Sequence, residues 1–282
     1  MNGNTEWTTV IKAKNGWFDI NFKELMQYKD LIVLFVKRNY VSRYKQTILG
    51  PLWLIVNPLI TTLLYSIIFG NIAGLADDGV PQLAFYLSSN AIWSFFATCL
   101  NQTATTFSAN AGIFGKIYFP RLTTPISTVI TSMLDILIQL VLLIIAMFIY
   151  FVQGFRFELG AEVLLVPVLI VQVALLGLGF GIIISSLTTK YRDLAILITF
   201  GVQLWMYASP VVYTTSILPA KYYNIYMLNP MAPVLSMFRR ATLGVGDAPY
   251  MMWGVSWITT IVVLAIGVII FSKIEKTFMD TV

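Results

Sequence analysis

Tyr44–Pro58 reads YKQTILGPLWLIVNP, and the fold is decided there. On its N-terminal side the chain is polar, basic and amphipathic; on its C-terminal side it enters lipid. The stretch holds a helix-breaking step at Gly50–Pro51, an interfacial tryptophan at Trp53 and a second break, Asn57–Pro58, inside the apolar run. A helix can stop at Gly50, turn, and restart with Pro51 in its first turn. The spacing predicts an elbow between a helix lying on the cytoplasmic surface and the first membrane span.

Composition sets the class. Of 282 residues, 58% are hydrophobic and 11% charged, where a soluble domain carries roughly a quarter charged residues. So little polar surface cannot cover a globule of this size, and the chain is an integral membrane protein. The first twenty residues are polar and lack an apolar signal core, so the first span is expected to serve as its own signal. There is no histidine, which removes histidine acid–base chemistry, histidine-ligated metals and histidine triads. The single cysteine, Cys99, lies in an apolar run and reads as a packing thiol. A net charge of +5 reflects positive cytoplasmic loops rather than nucleic-acid binding.

Upstream of the elbow, residues 22–40 show helical periodicity. Phe22, Leu25, Met26, Ile32, Val33, Val36 and Tyr40 fall near one face, interrupted by Lys29. The pattern suits an amphipathic helix in the headgroup layer, or one docked on a partner. Downstream, charge-free runs and one run broken only by Asp135 give six spans at 51–71, 84–106, 124–151, 162–187, 195–214 and 250–272. The run Tyr222–Phe238 is marginal in length and contains Asn229–Pro230 and Pro233. Residues 216–246 therefore read as a re-entrant helical hairpin between spans five and six. With both termini inside, fourteen Lys and Arg residues lie on the cytoplasmic side and four outside, a strong positive-inside asymmetry.

Little in the chain suggests catalysis. No GxxxxGK[ST] loop is present, so this chain is not expected to hydrolyse ATP itself; if transport is powered, the motor is another polypeptide. Gly177, Gly179 and Gly181 sit in an apolar span without a preceding strand, and read as close helix packing. Asp135 is the one ionisable residue well inside a span; it is either an ion- or substrate-binding carboxylate or a buried group bonded to a neighbour such as Gln139. In the loop 107–125, Ile113, Phe114, Ile117, Tyr118 and Phe119 form an apolar cluster expected to be exposed, either as a partner site or dipping into the membrane surface. Trp53, Trp93, Trp205, Trp253 and Trp257 fit an interfacial belt. Residues such as Tyr65, Phe85, Phe95 and Phe200 belong to the core or to a pathway for sugar faces.

Six motifs in order extend the reading: RYKQTILGPLW (43–53), NPLITTLLYSIIFG (57–70), KIYFPRLTTPIS (116–127), TTKYRDL (188–194), SPVVYTTSILP (209–219) and LNPMAPVLSMFRRATLG (228–244). Together they resemble the membrane permease subunit of ABC-2-type polysaccharide exporters, whose members move O-antigen, capsular polysaccharide or teichoic acid. The resemblance covers roughly residues 20–275. It implies an interface helix near 22–40, periplasmic gate helices near 216–246 with Asn229, Pro230 and Arg239, and a pairing of two copies of the chain. It also implies an ATPase-coupling segment around Ala111–Arg121, carried by Ile113, Phe114, Lys116, Tyr118, Phe119 and Arg121, and matches the family at Tyr191–Arg192–Asp193 and at Asp135. Where many relatives carry an acidic residue as partner for Arg239, this chain has Ser236. Arg38, Arg43 and Lys45 would meet either the pyrophosphate of a lipid carrier or the headgroups of anionic lipids.

The expectation is an all-α membrane protein: a cytoplasmic segment with the amphipathic interface helix (1–49), an ABC-2-type transmembrane domain (50–275) and a cytoplasmic tail (276–282). It has six transmembrane helices and re-entrant gate helices, sits multi-pass in the cytoplasmic membrane, and is not an enzyme. It binds no cofactor or metal of its own, with ATP and Mg in a separate ATPase subunit. Its other partners are a second copy of itself, membrane lipid and a lipid-linked glycan, most specifically O-antigen, but not nucleic acid. The competing reading is an ABC-2 permease for a drug or simple lipid.

Overall fold

The computed structural model describes residues 22–281 except 46, 76–78, 190 and 192, with side chains described for 25–275 of these. Residues 1–21, the charges Asp77, Asp78, Lys190 and Arg192, and the Lys23, Glu24 and Lys276 side chains therefore lie outside the described residues. The described residues form helices and connecting turns, with no strand.

The chain opens with α1 (Phe22–Gln27) and α2 (Lys29–Tyr44). Helix α2 ends at Tyr44, where Lys45 turns extended, several residues earlier than the glycine step suggested. Gly50 then adopts a left-handed φ of 51° and starts a 3-10 turn, Gly50–Leu52, with Pro51 inside it. That conformation is cheap for glycine and costly for residues with a Cβ. The elbow is thus present, and α3 (Trp53–Tyr65) leaves it. The second expected break is absent: Pro58 lies buried within a continuous α3. Losing one backbone hydrogen bond at a proline costs less than breaking a helix where no water can satisfy the exposed groups. The helix changes later, at Ser66–Ile72, which winds as a π-helix.

Helix α4 (Gln82–Ala104) is the centre of the molecule. Its apolar stretch is 78% buried, against 11–39% for the other long apolar helices, and it is the least apolar of them. A helix walled by protein can carry polar groups on any face, whereas one facing lipid must be apolar on its lipid side. Helix α5 (Thr106–Phe114) follows, then α6 (Thr123–Val152), α7 (Val166–Thr188), α8 (Leu194–Tyr207), α9 (Ala220–Tyr226), α10 (Met231–Leu243) and α11 (Tyr250–Thr281). A 3-10 turn, Ala161–Leu165, leads into α7.

Close approach is set by the glycines of α7. A Cβ on Gly177 would lie 2.7 Å from that of Cys99, and one on Gly181 would lie 2.5 Å from that of Thr103, both on α4. On the opposite face, a Cβ on Gly179 would sit 3.0 Å from the Leu264 backbone of α11. The glycines pack helices, as their apolar setting indicated, and Cys99 is a fully buried packing thiol.

Among the described residues, five helical segments are long and apolar enough to cross a membrane: Gly50–Ile72, Gln82–Ala104, Thr123–Val152, Ala161–Thr188 and Tyr250–Glu275. The expected span at 195–214 is shorter. Helix α8 has 14 residues and ends at Tyr207, about 21 Å of helix against a hydrocarbon thickness of roughly 30 Å. Pro210, which has no N–H to donate, follows in the turn that carries the chain away.

Candidate functional site

Arg43, at the end of α2, points toward α4 and α6. Its Nη1 pairs with Asp135 on α6, and its Nη2 donates to Gln102 Oε1 on α4 at 2.8 Å. The neighbouring Tyr44 hydroxyl donates to the other Asp135 oxygen at 3.5 Å. Desolvation at this site opposes the guanidinium charge, but Asp135 and Tyr44 outweigh it and raise the Arg43 pKa above the ordinary arginine value. Asp135 therefore bonds α2, not Gln139; neither end of the pair is predictable from its own neighbours, because 92 positions separate them.

The pair forms one wall of a cavity of about 400 Å³ between the elbow, α3, α4 and α6. Two polar stripes face each other across it. Asn90, Ser94, Thr98 and Gln102 recur every four residues along α4, and Ser132, Asp135 and Gln139 follow helical spacing on α6. From Asn90 to Gln102 the stripe covers about 18 Å of helix. Trp53, Phe95 and Pro58 supply apolar wall. Ser94 donates to Gln139 Oε1 at 3.0 Å, and the Asn90 side chain, although the residue is only 6% exposed, makes no hydrogen bond with the described residues. The α4 stripe escaped the sequence reading, although its four-residue spacing inside an apolar span was the available signal.

The three cations expected near the carrier do not share a partner. Arg43 is turned inward. Arg38 stacks over Phe35 at 4.6 Å and donates to Asn39 (3.1 Å) and Asn110 (3.4 Å), tying α2 to α5. Lys45 is exposed at the elbow. Helix α2 docks through Tyr28, Leu31 and Phe35, while Met26 and Val33 of the expected apolar stripe face outward.

The segment 113–121 divides in two, which corrects the expectation of a wholly exposed cluster. Phe114 and Phe119 are buried with Phe35, Phe107 and Phe271; Phe35–Phe119 and Phe114–Phe119 ring centroids lie 5.6 and 5.7 Å apart. Arg121 is buried, its guanidinium bonds the Glu275 carbonyl, and its N–H donates to Glu275 Oε1 at 3.0 Å. Burial lowers the Arg121 pKa, partly countered by Glu275. Lys116, Ile117 and Tyr118 remain exposed, and Ile113 is half-buried. A short loop between two helices satisfies its large apolar groups inward first, leaving its tip outside.

The expected gate residues form a tight junction. Asn229 Oδ1 accepts from Trp205 Nε1 (2.9 Å) and the Met231 N–H (3.2 Å), while Nδ2 donates to the Ala208 carbonyl (3.0 Å) and Ser209 Oγ (2.8 Å). The Pro230 carbonyl accepts from Ser256 at 2.7 Å. Arg239 is buried over the Phe85 ring at 4.7 Å and donates to the Tyr213 carbonyl at 3.3 Å. Ser236 bonds its own helix at Ala232. Trp93 and Trp205 pack with Phe96 in this interior rather than in a belt. Among the described residues, no group of three or more His, Cys, Asp and Glu side chains could hold a metal ion.

The ABC-2 type transporter family description matches residues 30–243. The O-antigen export system permease protein RfbA of Klebsiella pneumoniae is 28% identical over 252 residues, covering 89% of this chain and 94% of that protein. The protein of the same name from Myxococcus xanthus is 26% identical over 222 residues, 77% of this chain and 82% of its own length. The polysialic acid transport protein KpsM of Escherichia coli is 24% identical over 249 residues, 86% of this chain and 93% of its length.

Proposed function

The chain belongs to the ABC-2 type transporter family, and on that premise we propose that it is the permease subunit of an ATP-driven exporter of a lipid-linked polysaccharide, most specifically O-antigen. The observation that carries the reading is the near end-to-end match to proteins named for O-antigen and polysialic acid export. The polar cavity inside otherwise apolar helices supports it, because an exporter of a hydrated polymer needs polar groups at membrane depth. A permease for a drug or simple lipid has less use for such a lining.

In this reading the chain hydrolyses nothing. A separate ATPase subunit, with its ATP and Mg, docks on the exposed tip Lys116–Tyr118, and Arg121 anchors that tip to α11. Two copies of the chain enclose the polymer path. Helix α8 with its following turn completes a sixth crossing, α9 and α10 form the gate on the outer side, and both termini are cytoplasmic. The lipid carrier arrives at the elbow, where Arg38 and Lys45 offer charge to its pyrophosphate.

The test is glycan location in cells lacking this chain and any redundant exporter. Full-length lipid-linked glycan should accumulate inside and vanish from the surface. Unchanged surface glycan with nothing accumulating would overturn the polysaccharide reading.

A further inference from the structure

Buried carboxamides normally find partners in the protein or in bound water. In the elbow cavity they do so only in part. The Asn90 side chain makes no hydrogen bond with the described residues, Gln139 receives one from Ser94, and Gln102 receives one from Arg43. Their amide groups therefore keep both donor and acceptor capacity on the cavity side. The one charged pair in the lining, Arg43 and Asp135, is already mutual, so the cavity carries no net charge.

From this geometry we infer that the elbow cavity is a binding site for a neutral sugar residue, the part of a lipid-linked glycan next to its carrier. The inference rests on the polysaccharide reading and adds the place and chemistry of recognition. Carboxamides suit sugar hydroxyls because both partners donate and accept. The ring of Trp53, 39% exposed at the cavity, suits the apolar C–H face of a pyranose. The volume, about 400 Å³, lies at the small end of the roughly 300–1,000 Å³ typical of small-molecule sites, so it admits a terminal unit and not a polymer. A phosphate fits poorly, because it would have to draw Arg43 from Asp135. An acyl chain fits poorly as well, because it would leave the Asn90 amide and the free Gln102 and Gln139 N–H groups unmatched. The phosphates then sit outside, toward Lys45, and the sugar sits inside.

The test is binding to the full-length chain in a detergent without sugar groups, read by native mass spectrometry. The probes are farnesyl diphosphate and the same molecule carrying one glucose. The glucose-bearing probe should bind roughly tenfold more tightly, the worth of about one net hydrogen bond. Asn90→Leu and Gln139→Leu should each bring the two probes to near equality without weakening farnesyl diphosphate itself. Ser94→Ala, a smaller change, serves if either leucine variant fails to fold, and should reduce the preference about threefold. Equal binding of both probes to the unaltered chain overturns the sugar site and leaves the exporter reading intact. A glucose preference that survives the substitutions places recognition elsewhere and also overturns it. Binding of neither probe overturns both the sugar site and carrier loading at the elbow, while the export phenotype in cells still decides the family-level function.

Discussion

Asn229 and Asn90 have the same side chain and opposite situations. Asn229, at the junction of α8 and α10, uses both N–H groups and accepts twice at its oxygen, joining Trp205, Ala208, Ser209 and Met231. Asn90 is more deeply buried, and its side chain makes no bond with the described residues and lines a cavity. The difference teaches that burial of a polar group does not by itself mark a functional site. Unmatched hydrogen-bonding capacity facing a space does. Evolution tolerates the cost of an unmatched amide only where something else, water or ligand, answers it.

The sharpest attempt to break that comparison is Asn229→Leu. It strips four contacts and leaves the Trp205 N–H and the Ala208 carbonyl without a partner, so stability should fall by about 3 kcal/mol, read as a lower apparent Tm of the purified chain. A loss under about 1 kcal/mol would mean the junction is held by packing alone. Next comes the ion pair. Arg43→Leu should cost about 2 kcal/mol, less than a fully buried pair because the guanidinium side chain is 25% exposed. Combining it with Asp135→Leu should recover most of that loss, since no charge is then stranded; additive losses would show that the two residues do not act as a pair.

Asn90→Leu should change stability by less than about 1 kcal/mol, or raise it, because it removes an unmatched polar group. Export should nevertheless fall, measured as surface glycan at equal permease abundance. The smallest effect on stability is expected at Tyr118, 70% exposed at the tip of the loop. Tyr118→Ala should leave the stability within about 0.5 kcal/mol of the parent while slowing ATP-driven export. Its buried neighbour provides the contrast: Phe119→Ala should cost about 3 kcal/mol through the cavity it opens. Normal export by the Tyr118 variant would remove the loop tip from the coupling surface.

Much of the fold is legible residue by residue. The apolar runs locate the long helices to within a few positions, and Gly50–Pro51 locates the elbow. Gly177, Gly179 and Gly181 announce close packing, because nothing else explains small residues in a span without a strand. Other features resist such reading. Asn57–Pro58 looks like a break, yet α3 passes through it, because lipid makes a break dearer than one missing bond. Phe114, Phe119 and Tyr118 look alike in one loop, yet two of them turn inward to the Phe35 and Phe271 rings and one does not. The α8 segment looks like a full span, yet its helix ends at Tyr207, where Asn229 holds the turn.

The sequence by itself determined that this chain is helical and lies in a membrane. Lipid offers the backbone no partners, so each long apolar run must satisfy its own amides, and that requirement acts on every residue locally. It also determined which side chains have polar chemistry to offer. Only the tertiary structure decided which of them are matched. Arg43 meets Asp135 across 92 positions, Asn229 meets Trp205, and Asn90 meets an open cavity, because such encounters depend on the rotation and approach of whole helices, set by packing among residues far apart in the chain.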